Sequence, residues 1–303
     1  MSGEKILTKQ LDFDIWSAVP QKMSHRSAEK GGREMMRKTF IYLLIIGFVF
    51  CLLTMEALPM GKKPIMMEEL YGFLQSKTFV ELTHAFSPSI PVPDGLPGPK
   101  REEIYGGAVQ IFTHVGQYGT HLDAPGHFHK GMRLVESIPV NEFVLMGCVI
   151  DISKKAAENP DYQLKLTDVK EWEKANGTVP TGSFVILRTD WSKKWDDHEA
   201  YFNKDTAGQK HYPGWGLEAL KYLIEERKIR AIAHETPDTD SGLTCGPDKG
   251  WPLEAYVLEQ NLWQIENLNN ADKLPPKGFL VIVGVPKADK GTGFPTRVFA
   301  ILP

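Results

Sequence analysis

Apolar positions along this chain follow two periods, set behind a leader dominated by one unbroken apolar run. Short runs rich in β-branched and aromatic residues, bounded by Gly and Pro, predict strands at 78–83, 108–113, 144–152, 183–188, 229–233, 262–266, 279–285 and 297–302. Three stretches carry a helical period instead. One opens with Thr167 as its cap and ends at Gly177. In a second, Leu217, Leu220, Leu223 and Ile224 share a face, and a third, shorter one covers 252–260. Strands mixed with a few helices, without strict alternation, predict an α/β protein of the irregular α+β kind rather than a doubly wound parallel sheet. Beyond residue 61 there is no composition shift, low-complexity tract or internal repeat, so 62–303 reads as one domain and 1–61 as a leader.

The leader's apolar run, 39–55, carries no charge; Arg37 and Lys38 precede it and Glu56 ends it. A positive pair, an apolar stretch and then Ala57, Pro59 and Gly61 have the order of a signal peptide. Translation starting at Met35 or Met36 would give that peptide normal proportions. The alternative is an uncleaved signal anchor with Arg37 and Lys38 on the cytoplasmic side. The expected location is therefore outside the cytoplasm, periplasmic or secreted, or else membrane-anchored through 39–55. A buried helix of the globular domain is the third reading, and it would have to be apolar all round.

Composition adds exclusions. At 303 residues, 24% charged and 42% hydrophobic, the chain has the makeup of a globular protein with a real core, not of a disordered or fibrous one. Lys and Arg (35) nearly balance Asp and Glu (38), so no basic footprint points to nucleic acid. Residues 1–38 hold eight basic against five acidic side chains, a net of +3, which leaves the remainder at −6 against the whole-chain −3. Of the three cysteines, Cys51 lies in the apolar run, and Cys148 and Cys245 are too few for a disulfide framework; whether they pair stays open.

The densest chemistry lies at 114–129, where His114, His121, His127 and His129 crowd together around Asp123. Gly116, Gly119, Pro125 and Gly126 forbid a regular helix and predict a loop after the 108–113 strand. In extended backbone, residues two apart face the same side, so His121 and Asp123 can converge on one ion. A nitrogen and a carboxylate donor suit zinc or manganese better than calcium. The plain alternative is a hydrogen-bonded loop without a ligand. No glycine-rich phosphate loop or G-x-S-x-G elbow is present, and the H-E-x-x-H reading fails because Asp238 is the fifth residue from His234.

Gly119-Thr120-His121-x-Asp123-x-Pro125-x-His127 resembles the signature H-x-G-T-H-x-D-x-P-x-H of the cyclase family, which includes kynurenine formamidases and isatin hydrolases. The resemblance extends to Leu82-Thr83-His84, Arg188-Thr189-Asp190-Trp191-Ser192, Pro213-Gly214-Trp215, Ile265-Glu266-Asn267-Leu268 and Gly291-Thr292-Gly293. It implies a mixed, partly barrel-like sheet flanked by helices and a metal-dependent hydrolase. By the same resemblance His121 and Asp123 match metal ligands, His127 the catalytic histidine and Glu266 a carboxylate at or near the metal. Two positions depart: Gln117 stands in place of the signature's first histidine, and Glu254 where two-zinc formamidases have a histidine ligand.

A glutamine can ligate only through its amide oxygen, which shifts preference toward harder ions. The expectation is one Mn²⁺ or Zn²⁺ per chain on His121 and Asp123, with Gln117 and Glu266 as further candidates. Such an ion activates water and polarises a carbonyl, while His127 serves as base and acid. Tyr118 and Thr120 are candidates for positioning water or substrate, with a plain turn role as the alternative. The polar segment His234-Glu235-Thr236-Pro237-Asp238 is a candidate for hydrogen bonding to the ligands, with a capping and turn role as the alternative; Trp191 and Trp215, with Trp195, Phe202 and Tyr212, offer an aromatic surface for a planar substrate, with core packing as the alternative. The activity expected is hydrolysis of a C–N bond in a small cyclic amide, as in isatin hydrolases. The alternatives are an arylformamidase and a non-catalytic binding relative. The resemblance also implies a homodimer or homotetramer.

Overall fold

The computed structural model describes residues 35–43 and 65–303. Residues 35–43 are helical; the signal-peptide and anchor readings fall largely outside the described residues. No helix among the described residues is long and apolar enough to cross a membrane. Met67–Pro303 forms one compact unit.

That unit is a mixed α+β fold built on a curled half-barrel sheet of nine strands. In chain order the strands of the fold are β1 (Phe79–Glu81), β2 (Lys100–Ile104), β3 (Val109–Thr113), β4 (His121–Asp123), β5 (Val144–Asp151), β6 (Phe184–Arg188), β7 (Ala231–His234), β8 (Trp263–Glu266), β9 (Lys277–Gly284), β10 (Gly293–Pro295) and β11 (Arg297–Ile301). The large sheet runs β1-β11-β9-β5-β6-β7-β8-β4-β10, and β2 and β3 form a separate hairpin. Strands β5 to β8 are mutually parallel, and the pairings outside them are antiparallel. The helices are α1 (Met67–Gln75), α2 (Ser153–Glu158), α3 (Leu166–Asn176), α4 (His198–Phe202), α5 (Leu217–Lys221) and α6 (Pro252–Glu259).

The central strands are apolar at nearly every position because both of their faces are covered. Phe184 and Ile186 of β6, Ala231 and Ala233 of β7, and Trp263 and Ile265 of β8 fill one core. The alternate residues Val185, Leu187 and Ile232 fill a second, against Val169 and Trp172 of α3, Leu220 of α5 and Val257 of α6. Cys148 lies in this second core and Cys245 in a third cluster with Tyr118 and Trp191; both thiols are free, which closes the question of their pairing.

Each predicted strand has its counterpart, but three strands carry no apolar signal. β2 is mostly charged, β4 lies in the segment read as loop, and β10 contains Gly and Pro. Helix α3 starts two residues earlier than Thr167 suggests: Lys165 is the cap, and its backbone N–H donates to Asp168 Oδ2 at 2.8 Å. Gly177 does end it, with φ of 81°. Leu217, the first residue of α5, is 40% exposed and leaves the buried face to Leu220, Leu223 and Ile224; the helix widens into a π turn at Tyr222–Glu226.

The C-terminal part of α3 is tied to that π turn by an ion pair with its own acid signature. Glu173 accepts from Arg227 at 2.5 Å, from the Tyr222 hydroxyl at 2.7 Å and from Val179 N at 3.1 Å. Burial alone would raise its pKa, but these donors hold the carboxyl down at about 2 against an ordinary 4.5. A depressed carboxyl contributes stability that is complete above the ordinary value and lost as pH falls through the folded one. Allowing for solvent screening, about 1–2 kcal/mol should disappear between pH 4.5 and 2. Urea melts of Glu173→Gln should show this acid limb flattened; an unchanged limb would remove Glu173 as its source.

Candidate active site

Antiparallel pairing assembles the site from residues far apart in sequence. In the register of β4 on β8, His121 lies opposite Glu266 and Asp123 opposite Gln264. Residues two apart on a strand share a face, and so do directly opposed residues, so these four polar side chains fall on one face. Ile232 of β7 pairs with Gln264, and His234, two residues further, joins the same face. The site thus lies at the C-terminal ends of β7 and β8, where side chains emerge from the covered part of the sheet.

Two further segments complete it. A single 3₁₀ turn, Pro125–His127, turns the chain after β4 and carries His127. A Cβ at Gly126 would come within 2.4 Å of Leu134 Cδ2 and 3.1 Å of the Arg133 carbonyl, so glycine lets the turn pack this closely. Helix α6 brings Glu254, and Asp240 fixes its first turn by accepting from Leu253 N and Glu254 N, with Oδ2 at 3.1 Å from each. His129 Nε2 meets the Ala255 carbonyl at 2.7 Å and clamps the His127 turn to α6. Gly293 of β10 leaves the room the site occupies: its Cβ would fall 2.6 Å from Asp123 Oδ1.

His121 Nδ1 is 2.9 Å from the Gly119 carbonyl, which leaves Nε2 facing the carboxylates, 3.2 Å from Asp123 Oδ2 and 3.5 Å from Glu266 Oε2. His127 Nε2 is 3.8 Å from Glu254 Oε1. Donor atoms of His121, Asp123 and Glu266 all lie within 4.8 Å of one another, and so do those of Asp123, His127 and Glu254. The two groups share Asp123.

The electrostatics of this cluster demand positive charge. Glu254 and Glu266 are pushed well above the ordinary carboxylate range, first by burial and then by neighbouring carboxylates that include Asp123 and Asp238. Burial works against charge on His121, but Asp123 beside it outweighs that and raises its pKa. His234 is driven the other way, down to about 3, by burial and by His121. His121 Nε2 and Asp123 Oδ1 are buried without a hydrogen-bond partner, although buried polar atoms are normally satisfied. A divalent cation suits this donor set: it would satisfy the orphaned nitrogen and offset the buried negative charge.

The remaining candidates occupy different places. Gln117 is half-buried, with Nε2 3.4 Å from His127 Nδ1 and 3.2 Å from Thr292 Oγ1, so it stands beside the histidine turn. The Tyr118 hydroxyl donates to the Pro97 carbonyl at 2.6 Å, and Thr120 Oγ1 donates to the Asn267 carbonyl at 2.7 Å; both hold the loop. Trp191 and Trp215 are 3% and 0% exposed, so they line no open surface for a substrate. Trp191 Nε1 donates to the Tyr201 carbonyl, whereas Trp215 Nε1 donates to His234 Nδ1. Of the other clustered histidines, His114 packs edge-on against Phe86 and Phe294.

Gln264 and Asp240 are site residues that sequence reasoning misses. Gln264 donates to Glu266 Oε1 at 3.0 Å and receives the Thr239 hydroxyl at 2.7 Å; its spacing of two from Glu266 on a strand is the signal that would have found it. Asp238, in the polar segment that follows β7, is half-buried and held by Trp251 Nε1 at 2.7 Å and by the Tyr212 hydroxyl.

Comparison with known proteins points to one family. A family model described as putative cyclase matches residues 80–241. The chain is 34% identical over 189 residues to an isatin hydrolase from Roseibium aggregatum, covering 61% of this chain and 71% of that protein. Among solved structures, isatin hydrolase A from Ralstonia solanacearum is similar at TM-score 0.72 and 31% identity, covering 80% of this chain and 99% of its own. Isatin hydrolase A from Labrenzia aggregata, bound to benzyl benzoate, is similar at 0.71 and 33%, covering 78% and 98%. An isatin hydrolase bound to the product analogue thioisatinate is similar at 0.73 and 29%, covering 78% and 97%.

Proposed function

The chain belongs to the cyclase family, as a metal-dependent hydrolase acting on C–N bonds, and we propose that its substrate is a small cyclic amide of the isatin kind, opened by water at the lactam bond. The observation that carries this reading is a buried His121–Asp123–Glu266 group next to His127, whose side chain is 29% exposed. A buried group of ligand-type side chains with one partly exposed histidine at its edge offers what hydrolysis needs, a place for an ion and beside it a base that water can reach.

We assign one divalent ion, Mn²⁺ or Zn²⁺, to His121, Asp123 and Glu266. Gln117 is a further donor through its amide oxygen if its amide turns. Bound there, the ion supplies Lewis acidity toward the substrate carbonyl and acidifies water. His127 accepts a proton from the attacking water as the new C–O bond forms, and returns it to the nitrogen as the C–N bond breaks. The product is a ring-opened amino acid whose carboxyl ionises. Glu254 and Gln117 flank the imidazole on its two nitrogens; with the Gln117 amide turned so that its oxygen accepts from Nδ1–H, Nε2 keeps its lone pair for the water's proton. Glu254 in place of a histidine speaks for the lactam over an N-formyl arylamine, since it withdraws the second nitrogen donor that two-zinc formamidases use.

Chelator-stripped protein reloaded separately with Mn²⁺ and Zn²⁺ and assayed on isatin, simple lactams and N-formylkynurenine tests this. Isatin should be opened only after reloading, and faster than N-formylkynurenine. Tight isatin binding without turnover under any metal would make the protein a binding relative, and full activity with no metal by elemental analysis would reject the metal assignment.

A further inference from the structure

The Pro213-Gly214-Trp215 segment lies outside the hydrolytic chemistry described above, yet its tryptophan reaches the site. We propose that Trp215 is a positioning residue that acts through His234, fixing its tautomer so that an imidazole N–H is held toward Glu266. This rests on the reading of Glu266 as a metal-binding carboxylate.

Trp215 Nε1 donates to His234 Nδ1 at 3.2 Å. An indole nitrogen only donates, so His234 Nδ1 must accept, and the ring hydrogen resides on Nε2. A doubly protonated ring would set two N–H groups against each other. His234 Nε2 lies 3.4 Å from Glu266 Oε1, while Glu266 Oε2 lies 3.5 Å from His121 Nε2. The carboxylate is therefore divided: Oε1 faces neutral N–H groups of Gln264 and His234, and Oε2 stays on the His121 side. His234 Nε2 has no hydrogen-bond partner and both residues are 0% exposed, so no solvent competes for the ring.

The backbone explains how the indole is held in place. Trp215 N donates to the Thr239 carbonyl at 2.9 Å, and Gly214 packs so closely on the following turn that a Cβ would come within 2.4 Å of Ser241 N. The 213–215 segment is thus fastened to the chain that follows His234. Outer partners that fix a ligand's orientation commonly change metal affinity by about 10–100-fold.

Trp215→Phe keeps an aromatic ring in the core and removes only the donor. In the Zn²⁺-loaded protein, Zn²⁺ affinity measured by calorimetry should fall about tenfold or more. Ring-nitrogen NMR of histidine-labelled protein should show His234 leaving the pure Nε2–H form. KM for isatin should hold while kcat falls, because the indole touches no substrate. His234→Gln places an amide N–H near the lost Nε2–H and should keep Zn²⁺ affinity within a few-fold, whereas His234→Leu should not. Adding Trp215→Phe to His234→Gln should then cost nothing further.

Unchanged affinity and an unchanged His234 signal in Trp215→Phe would overturn the proposal. Should that variant fail to fold, equal affinity in His234→Gln and His234→Leu would overturn it as well. If the protein binds no metal at all, the metal reading fails, and the NMR signature still decides whether Trp215 sets the tautomer.

Discussion

Replacing His127 with Ala should lower isatin turnover by about 10²–10⁴-fold while metal content stays at the wild-type level. The expectation follows from where the imidazole sits. His121, Asp123, Glu254 and Glu266 are buried, whereas His127 keeps 29% of its side chain exposed at the edge of the cluster. Its turn does not depend on the ring: the backbone bond from His127 N to the Ala124 carbonyl, at 2.8 Å, survives the substitution, and stability should change by no more than about 0.5 kcal/mol. The measurement pairs kcat/KM with elemental analysis per chain. Because His127 also belongs to the Asp123–Glu254 group, loss of the ion together with activity would make it a ligand instead of a base. Unchanged turnover would remove it from the chemistry.

The half of the site that lies on one strand could be read directly from spacing. His121 and Asp123 are two apart in extended chain, and His127 follows a Pro-Gly turn, so local geometry alone brings these three together. Glu266 could not be found that way. Its position opposite His121 depends on the antiparallel register of β4 and β8, a pairing across 145 residues that the resemblance implied and periodicity could not. Asp240 was missed for a similar reason, since it caps a helix that begins twelve residues later.

The fold divides along the same line. Strands buried on both faces announce themselves through continuous apolar runs, as β6 does, whereas β2 pairs only with β3 in an exposed hairpin and has no face to bury. For Trp191 and Trp215, size and planarity are all that sequence offers, and they leave substrate surface and core packing both open. Their indole donors turn out to be spent inside the core, on a backbone carbonyl and on His234.

Glu266→Gln should reverse the stability order of wild type and variant according to whether metal is present. Without metal, Glu266 is buried against Glu254 and Asp123, so its charge opposes folding. Glutamine keeps the shape and removes the like charge, so the metal-free variant should melt at or above the wild-type temperature. The sign can be checked against pH. A carboxyl whose folded pKa is raised releases its proton in the unfolded chain first, so wild-type stability falls as pH rises past the ordinary 4.5, and the gap in favour of the variant opens there. With metal the order inverts. An ion at about 100 times its dissociation constant stabilises the wild type by about 2.7 kcal/mol. The variant, with a ligand oxygen replaced by a neutral amide, should bind at least about 100-fold more weakly and lose most of that gain. Calorimetric melts of both proteins, with chelator and with saturating Zn²⁺ or Mn²⁺, decide the matter. A variant that is less stable even with chelator, or that gains as much from metal as the wild type, would show that Glu266 is a structural carboxylate and not the one that holds the ion.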